Sequence, residues 1–352
     1  MKRKIALILT FAMLCMSLAA CGGKGKDETT ASAKSEANGE TKAETKEESK
    51  ETKNAETTAS GGSDKVYKIG VCQLVEHAAL DAAYEGFVKA LDDSGIKYEI
   101  DYQNAQNEQP ACETIATKLV NDGNDLILAI ATPAAQAVAG KTEEIPILVT
   151  AVTDPETSGL VDSNDAPGKN LTGTSDLTPV KEQIELLHKL LPDAKSVGIL
   201  YCTAEDNSSF QVEIAKNELD AIGLDYEEFT VSSSNEIQTV VESMIGKVDC
   251  IYIPTDNTIS SGMATVAMVA NENNLPTIVG EEGMIDGGGL ATYGLSYFNL
   301  GVLTGEMAVK ILKGEATPAE MPIGYLSADK CELRINDETA ELLGITIPDD
   351  LK

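Results

Sequence analysis

The sequence has no tryptophan, only two histidines, and an aromatic content of 4%. Scarce aromatics leave little from which to build the flat stacking surfaces of a carbohydrate site, so a sugar ranks low among small ligands. With only His77 and His188, few general bases or metal ligands are on offer. His188 falls on the helical face Ile184–Leu191 and reads as scaffold. There is no H-E-x-x-H, EF-hand loop or G-x-S-x-G. Gly287-Gly288-Gly289 is not followed by Lys-Ser/Thr and runs into the strand-like Leu290–Gly294, so it is no phosphate loop. A hydrolase needs a nucleophile with a base in reach, and only His77 is placed for that. No catalytic residue, metal site or cofactor is expected. Positive charge is short as well: 27 Lys and Arg face 57 Asp and Glu, a net charge of −30. That excludes nucleic acid and an anionic membrane surface as partners, because phosphate binding needs clustered cations. It suits a protein kept in solution outside the cell.

Cysteine spacing gives no framework either. Beyond Cys15 and Cys21 there remain Cys72, Cys112, Cys202, Cys250 and Cys331, an odd set without a C-x-x-C pair. Cys72 and Cys250 sit in apolar runs and read as small buried hydrophobes. Long apolar runs are absent too, apart from Ile5–Leu18 behind Met1-Lys2-Arg3-Lys4. That run is too short to span a bilayer and fits a secretory signal over residues 1–20. It ends in Leu18-Ala19-Ala20-Cys21-Gly22, which resembles a bacterial lipoprotein cleavage box. Cys21 is therefore expected to carry a lipid and to anchor the exported protein to the outer face of the cytoplasmic membrane. Residues 22–64 contain no Val, Ile, Leu, Met, Phe, Tyr or Cys. Such a segment buries nothing, and it reads as a disordered tether with a reach of roughly 35–40 Å.

From Lys65 onward short apolar runs alternate with helical patterns, which predicts α/β architecture with parallel sheets. An internal repeat sharpens this. Gly70-Val71-Cys72 matches Gly198-Ile199-Leu200, and Gly95-Ile96-Lys97-Tyr98-Glu99 matches Gly223-Leu224-Asp225-Tyr226-Glu227, both 128 residues on. Asp125-Leu126-Ile127 matches Asp249-Cys250-Ile251 at an offset of 124, and Ile145-Pro146 matches Leu275-Pro276 at 130. Four landmarks in order predict two similar doubly wound parallel-sheet lobes, joined by a three-strand hinge. Lobe 1 is expected over residues 65–176 plus about 290–324. Lobe 2 is expected over 177–289 plus about 325–352, with crossovers near Thr174–Thr178, Gly287–Gly294 and Tyr325.

Ligands in open α/β sheets sit beyond the carboxyl ends of the strands, so the repeat also names the loops that face each other. In Ala131-Thr132-Pro133-Ala134-Ala135-Gln136, Thr132 reads as a helix N-cap and Pro133 as a first-turn residue. The amides of Ala134 and Ala135 would then face a ligand carboxylate. Pro254-Thr255-Asp256-Asn257 is the matching loop. Asp256 either caps its own helix or meets a ligand ammonium, and an acid opposite an anion-binding helix start suits a zwitterion. The loop Glu205–Phe210 offers Asn207 and Ser208 as polar donors. Val75-Glu76-His77 and Ala151-Val152-Thr153 are further cleft loops, giving Glu76, His77 and Thr153 as candidates.

Several of these stretches together resemble the ABC-transporter substrate-binding lipoproteins that include tryptophan- and tyrosine-binding proteins. They are Gln73–Asp81, Ala129–Gln136, Val152-Thr153-Asp154-Pro155, Thr172–Asp176 and Pro254–Asn257, within a span from about Tyr67 to Asp349. The family usually has proline where this chain has Ala79. The resemblance implies a type I periplasmic-binding-protein-like fold and an aromatic amino acid ligand. It also implies a permease and an ATPase encoded separately, no chemistry, and a monomeric receptor. It places Thr132, Asn207, Ser208 and Asp256 in the cleft as polar anchors. Tyr293 and Phe210 are candidate stacking partners, or core. The alternatives are a ligand-sensing or adhesion lipoprotein on the same fold, or a receptor for a sugar or another small solute.

Overall fold

The structure, a computed structural model, describes residues 65–327 and 330–352; the candidate signal segment, Cys21 and the candidate tether lie outside the described residues. The first sheet takes its strands from β1 (Val66–Gln73), β2 (Lys97–Asn104), β3 (Leu126–Ile130), β4 (Ile147–Val152), β5 (Leu171–Ser175) and β11 (Gly324–Tyr325). Their order is β11-β5-β4-β3-β1-β2, all parallel. The second sheet uses β6 (Ser196–Cys202), β7 (Asp225–Val231), β8 (Cys250–Ile253), β9 (Thr277–Val279), β10 (Ala291–Gly294) and β12 (Glu332–Ile335). Its order is β12-β10-β9-β8-β6-β7, parallel except for the β10–β12 pair. Two α/β lobes with parallel-sheet cores result, as the repeat predicts.

The repeat holds at the level of single residues. Gly70 pairs with Ile127, and Gly198 with Ile251. The Ile127 amide donates to Pro146 O and the Ile251 amide to Pro276 O, at 2.9 and 2.8 Å. Gly95 and Gly223 end α1 (Ala78–Ser94) and α5 (Asp206–Ile222) with φ of 70° and 75°, a left-handed C-cap that glycine takes at no steric cost. Asp125 Oδ2 accepts the Lys68 amide and Asp249 Oδ2 the Ser196 amide, so the same aspartate braces the entry of the first strand in each lobe.

The chain crosses between lobes three times. The first crossing lies between Ser175 and Val180, where α4 (Val180–Leu190) begins. Because β10 pairs in the second sheet, the return comes after Gly294 rather than at about residue 290, and α10 (Tyr297–Leu312) then packs on the first lobe. The third crossing lies between Tyr325 and Glu332. Glycines bring α10 against α1: a Cβ added at Gly301 would sit 1.9 Å from Ala83 O, and one at Gly86 2.0 Å from Phe298 O. Gly301→Ala therefore forces the helices apart and is expected to cost about 1–3 kcal/mol, or roughly 2–10 °C of melting temperature. An unchanged thermal melt would refute that packing argument.

Four of the five described cysteines are buried and all five are free thiols. No helix among the described residues is long and apolar enough to cross a membrane.

Candidate functional site

Parallel sheets send every strand's carboxyl end, and the loop after it, toward the facing lobe. The first lobe contributes Gln73 and His77 after β1, Asn107 after β2, Thr132 after β3, Thr153 after β4 and Asp176 after β5. The second contributes Glu205–Ser208 after β6, Thr255–Thr258 after β8 and Glu281 after β9. Four hydrogen bonds join the two sides directly. His77 Nε2 meets Asn257 Oδ1 at 3.2 Å, and Asn107 Nδ2 donates to Thr258 Oγ1 at 3.0 Å. Gln109 Nε2 donates to Ala204 O at 3.2 Å, and Gln136 Nε2 to Asp206 Oδ2 at 2.8 Å. The lobes are closed on one another. A cavity of about 280 Å³ remains at the margin, between Asn107, Gln109 and Pro133 on one side and Ala204, Glu205 and Thr258 on the other.

Backbone strain gathers on the first lobe's side. Ala131, Ala151, Gln106 and Asn107 all have positive φ, at 83°, 55°, 53° and 64°. Non-glycine residues persist there only when their surroundings hold them, and such residues collect at binding sites. Ala131 is the actual N-cap of α3 (Thr132–Ala139). Thr132 is its first helical residue rather than the cap, because Ala131 has left the helical region. The Ala135 amide is taken by Ala131 O at 3.0 Å, a normal intrahelical bond, so it does not face a ligand. The first-turn amides of Thr132 and Ala134 are the ones a helix start leaves for an external acceptor, since Pro133 has none.

Four of the six buried side-chain polar atoms without a partner among the described residues mark the same place; the other two, Asn271 Oδ1 and Thr292 Oγ1, lie elsewhere in the second lobe. Gln73 Oε1, His77 Nδ1, Thr132 Oγ1 and Asn207 Oδ1 all border the cleft and hydrogen-bond nothing. Asn207 Nδ2 donates to Glu205, Ser208 and Thr255 O, and Gln73 Nε2 donates to Val75 O and Asp81, which fixes the free atoms as carbonyl acceptors. Buried groups of this kind normally find partners, so an orphaned set points to an absent one.

The electrostatics have one sign. Asp176, Glu205, Asp256 and Glu281 are at most 2% exposed, and none makes an ion pair with a described Lys or Arg. Burial first, and then the neighbouring Glu205, push the Asp256 carboxyl up to about 8. Burial likewise pushes Asp176 up to about 6 against the opposing hydrogen bonds from Tyr297 and Thr153. Asp256 is fully engaged by protein. Oδ1 accepts the Ile259 amide as the cap of α7 (Asn257–Ser261), and Oδ2 accepts the Cys202 amide and Ser208 Oγ, both at 2.7 Å. Capping, one of the two readings of Asp256, is thus present, and Ser208 is spent on it. Glu205 accepts from Asn207, Asn257 and Thr258.

Asp176 and Glu281 are less occupied. Asp176 accepts Thr153 Oγ1 at 3.0 Å and the Tyr297 hydroxyl at 2.7 Å, and Glu281 accepts Ser260 Oγ and the Gly283 amide. Of the other candidates, Glu76 is exposed, and Tyr293 packs against the second-lobe core while its carbonyl accepts Gln183. Gln73, Asp176, Glu205 and Glu281 were not singled out from the sequence. Asp176 lies in the Thr172–Asp176 motif, and Glu281 in the loop that the repeat sets against Ala151-Val152-Thr153, so position rather than residue type was the available signal.

A family profile described as ABC transporter substrate binding protein matches residues 68–352. A tyrosine-binding protein of Clostridioides difficile (strain R20291) is 44% identical over 285 residues, 80% of this chain and 82% of the relative. The Streptococcus pneumonia ABC domain solved in complex with L-Trp is 41% identical. It superimposes with a TM-score of 0.79 over 82% of this chain and 97% of its own. The ligand-free, open structure of a Clostridium difficile substrate binding protein with adhesive properties is 44% identical, yet its TM-score is 0.62 over 81% and 97% of the two chains. The nearer sequence gives the poorer superposition, as expected when lobe arrangement differs, and the four cross-cleft hydrogen bonds put this chain in the closed arrangement.

Proposed function

We propose, from the premise that this chain belongs to the ABC transporter substrate-binding protein family, that it is the extracytoplasmic receptor of an importer and closes on a small aromatic amino acid. The observation that carries the amino acid is the opposition across the cleft. The α3 start offers Thr132 Oγ1 and the first-turn amides of Thr132 and Ala134 to a carboxylate, while orphaned carbonyls of Gln73 and Asn207 and uncompensated acids await N–H donors and positive charge. A zwitterion satisfies both sets. Support for an aromatic side chain comes from the tyrosine-binding and L-Trp-complexed relatives. Anchoring through a lipid on Cys21, and delivery to a separate permease and ATPase, belong to the same proposal. A receptor's role rather than an enzyme's belongs to the same proposal, supported by the substrate-binding family to which the chain belongs.

Calorimetric titration with tyrosine, tryptophan and phenylalanine is expected to give at least one micromolar or tighter complex, equivalent to about −8 kcal/mol or better. Mass spectrometry of solute released on denaturation should identify the same class. Failure of all three, with a different solute recovered, would overturn the aromatic assignment.

A further inference from the structure

Two of the buried free thiols face each other in the first lobe, behind the sheet and away from the cleft residues. The helix α2 (Gln109–Asn121) buries Cys112, Ala116 and Leu119, one stripe turned toward the sheet. A Cβ added at Gly70 would sit 3.0 Å from Leu119 Cδ2, so Gly70 of β1 faces that stripe. Cys72 lies two residues further along the strand and points to the same side. Because α2 runs back between the parallel strands β2 and β3, Cys112, two turns before Leu119, comes level with the carboxyl end of β1. Backbone bonds hold it there. The Cys112 amide donates to Glu108 O at 3.1 Å, the Glu108 amide to Ala105 O at 3.0 Å, and the Ala105 amide to Gln73 O at 2.9 Å. Both side chains are 0% exposed, and the Cys72 thiol donates to Cys112 Sγ.

The internal repeat supports the pairing independently. In the second lobe Gly198 faces Met244 of α6 (Ile237–Met244), as Gly70 faces Leu119. The same steps along strand and helix lead from there to Leu200 and Ile237, which are buried in one apolar cluster. Positions that hold an aliphatic pair in one lobe therefore hold two thiols in the other. Cys202 and Cys250 are not matched in this way. Cys250 pairs with Val197, five residues from Cys202 on β6, so about 16 Å separates the two, against a Cα limit of about 7 Å for a disulfide.

We propose that Cys72 and Cys112 are a dithiol–disulfide site, which a low-molecular-weight disulfide converts into a covalent bond between β1 and α2. The Cys112 thiolate attacks one sulfur of the reagent and releases one thiolate. The Cys72 thiol gives its proton to solvent, and its sulfur then attacks Cys112 Sγ of the mixed disulfide and expels the second thiolate. One S–S bond breaks and one forms: the two cysteines lose two electrons and two protons, and the reagent leaves as two thiols. Cys112 attacks first because the hydrogen bond from Cys72 holds its thiol below the usual range, against burial, while that bond and burial raise Cys72. The bond pins the start of α2 to the end of β1 and constrains the unfolded chain between residues 72 and 112.

Refolding the full chain from urea in a mixture of reduced and oxidised glutathione tests this without requiring the reagent to enter the folded core. Peptide mapping by mass spectrometry, after alkylation of the remaining thiols, is expected to show the Cys72–Cys112 linked peptide at least about tenfold above any other cysteine pairing. The linked protein should melt roughly 4–12 °C higher than the same sample after dithiothreitol. Cys112→Ala should lose both the linked peptide and the difference between its own oxidised and reduced melts. The inference is overturned if both thiols stay free, if glutathione remains attached to either of them in place of the link, or if other pairings are as abundant. It is equally overturned if the linked protein melts no higher than its reduced form, because the two positions would then not be matched in the native fold. The peptide map on the wild type needs no variant, and none of these outcomes depends on which solute the cleft holds.

Discussion

Glu205→Ala is expected to destabilise the ligand-free protein by about 3–5 kcal/mol and to weaken ligand binding severely. Glu205 is 2% exposed and accepts hydrogen bonds from five donors: the amide and side-chain nitrogens of Asn257, the amide and hydroxyl of Thr258, and Asn207 Nδ2. One carboxylate thus ties the loop after β6 to the start of α7, and Asn257 and Thr258 are the residues that meet His77 and Asn107 across the cleft. Alanine orphans the four donors of Asn257 and Thr258 at once, while Asn207 Nδ2 keeps Ser208 Oγ and Thr255 O. An opposing effect exists, since removing Glu205 relieves the like charge on Asp256. That relief is one pairwise repulsion against five lost acceptor contacts, four of them leaving a buried donor that costs about 1–3 kcal/mol before water enters the vacated space, so loss dominates. Glu205→Gln keeps one acceptor oxygen, removes the same repulsion, and should cost less than half as much. Urea unfolding of the three proteins checks this. Stability of Glu205→Ala within about 1 kcal/mol of wild type would show that the loop is held by other contacts.

How much of this was legible in the sequence follows from what a linear pattern can encode. The repeat was readable because it is carried by small, positionally strict residues: Gly70 and Gly198 in the first strands, Gly95 and Gly223 at helix ends, and the prolines whose carbonyls meet Ile127 and Ile251. The strand β5 did not announce itself, because Leu171-Thr172-Gly173-Thr174-Ser175 lacks apolar alternation; it is buried by α10 and by the edge strand β11, which are distant in sequence. Edge strands of two and four residues, β11 and β12, carry too few side chains to show a period. At the site, the loops were identifiable and the roles were not. Thr132 looked like a cap because Thr-Pro is a good helix start, but the cap is the strained Ala131, and strain is a property of the closed fold. Glu205 and Glu281 carry no signal of their own in the sequence, because nothing local tells a buried acid from an exposed one. The donors that bury Glu205 lie 52 and 53 residues away.

Raising the pH from 6 to 8 is expected to lower the unfolding free energy of the ligand-free protein by an amount that Asp256→Asn removes. Asp256 has an ordinary carboxyl value of 3.8 when unfolded and is pushed up to about 8 when folded, by burial first and Glu205 second. Between those values the folded state binds the proton that the unfolded state has released, so stability falls as pH rises. The contribution is complete below the unfolded value and is lost as pH passes the folded one. One such group gives a slope of at most about 1.4 kcal/mol per pH unit, and water entering the closed cleft reduces it. Asp176, raised to about 6, adds the same sign below that pH, so the slope should steepen between 4 and 6. The partly exposed carboxylates act oppositely and elsewhere: Asp125, Asp249 and Glu228 are lowered by their partners, and they take stability away only as pH falls through their depressed values. The two sets therefore separate by window and by sign. Asn at position 256 keeps an acceptor for the Ile259 amide but loses the one shared by the Cys202 amide and Ser208, so the variant should start about 1–3 kcal/mol less stable at pH 6. The wild type should approach it as pH rises, and a series of urea melts at half-unit intervals measures the convergence. Parallel curves, with the same difference at pH 6 and pH 8, would mean that Asp256 is ionised throughout, and the like-charge argument for the second lobe would fall with it.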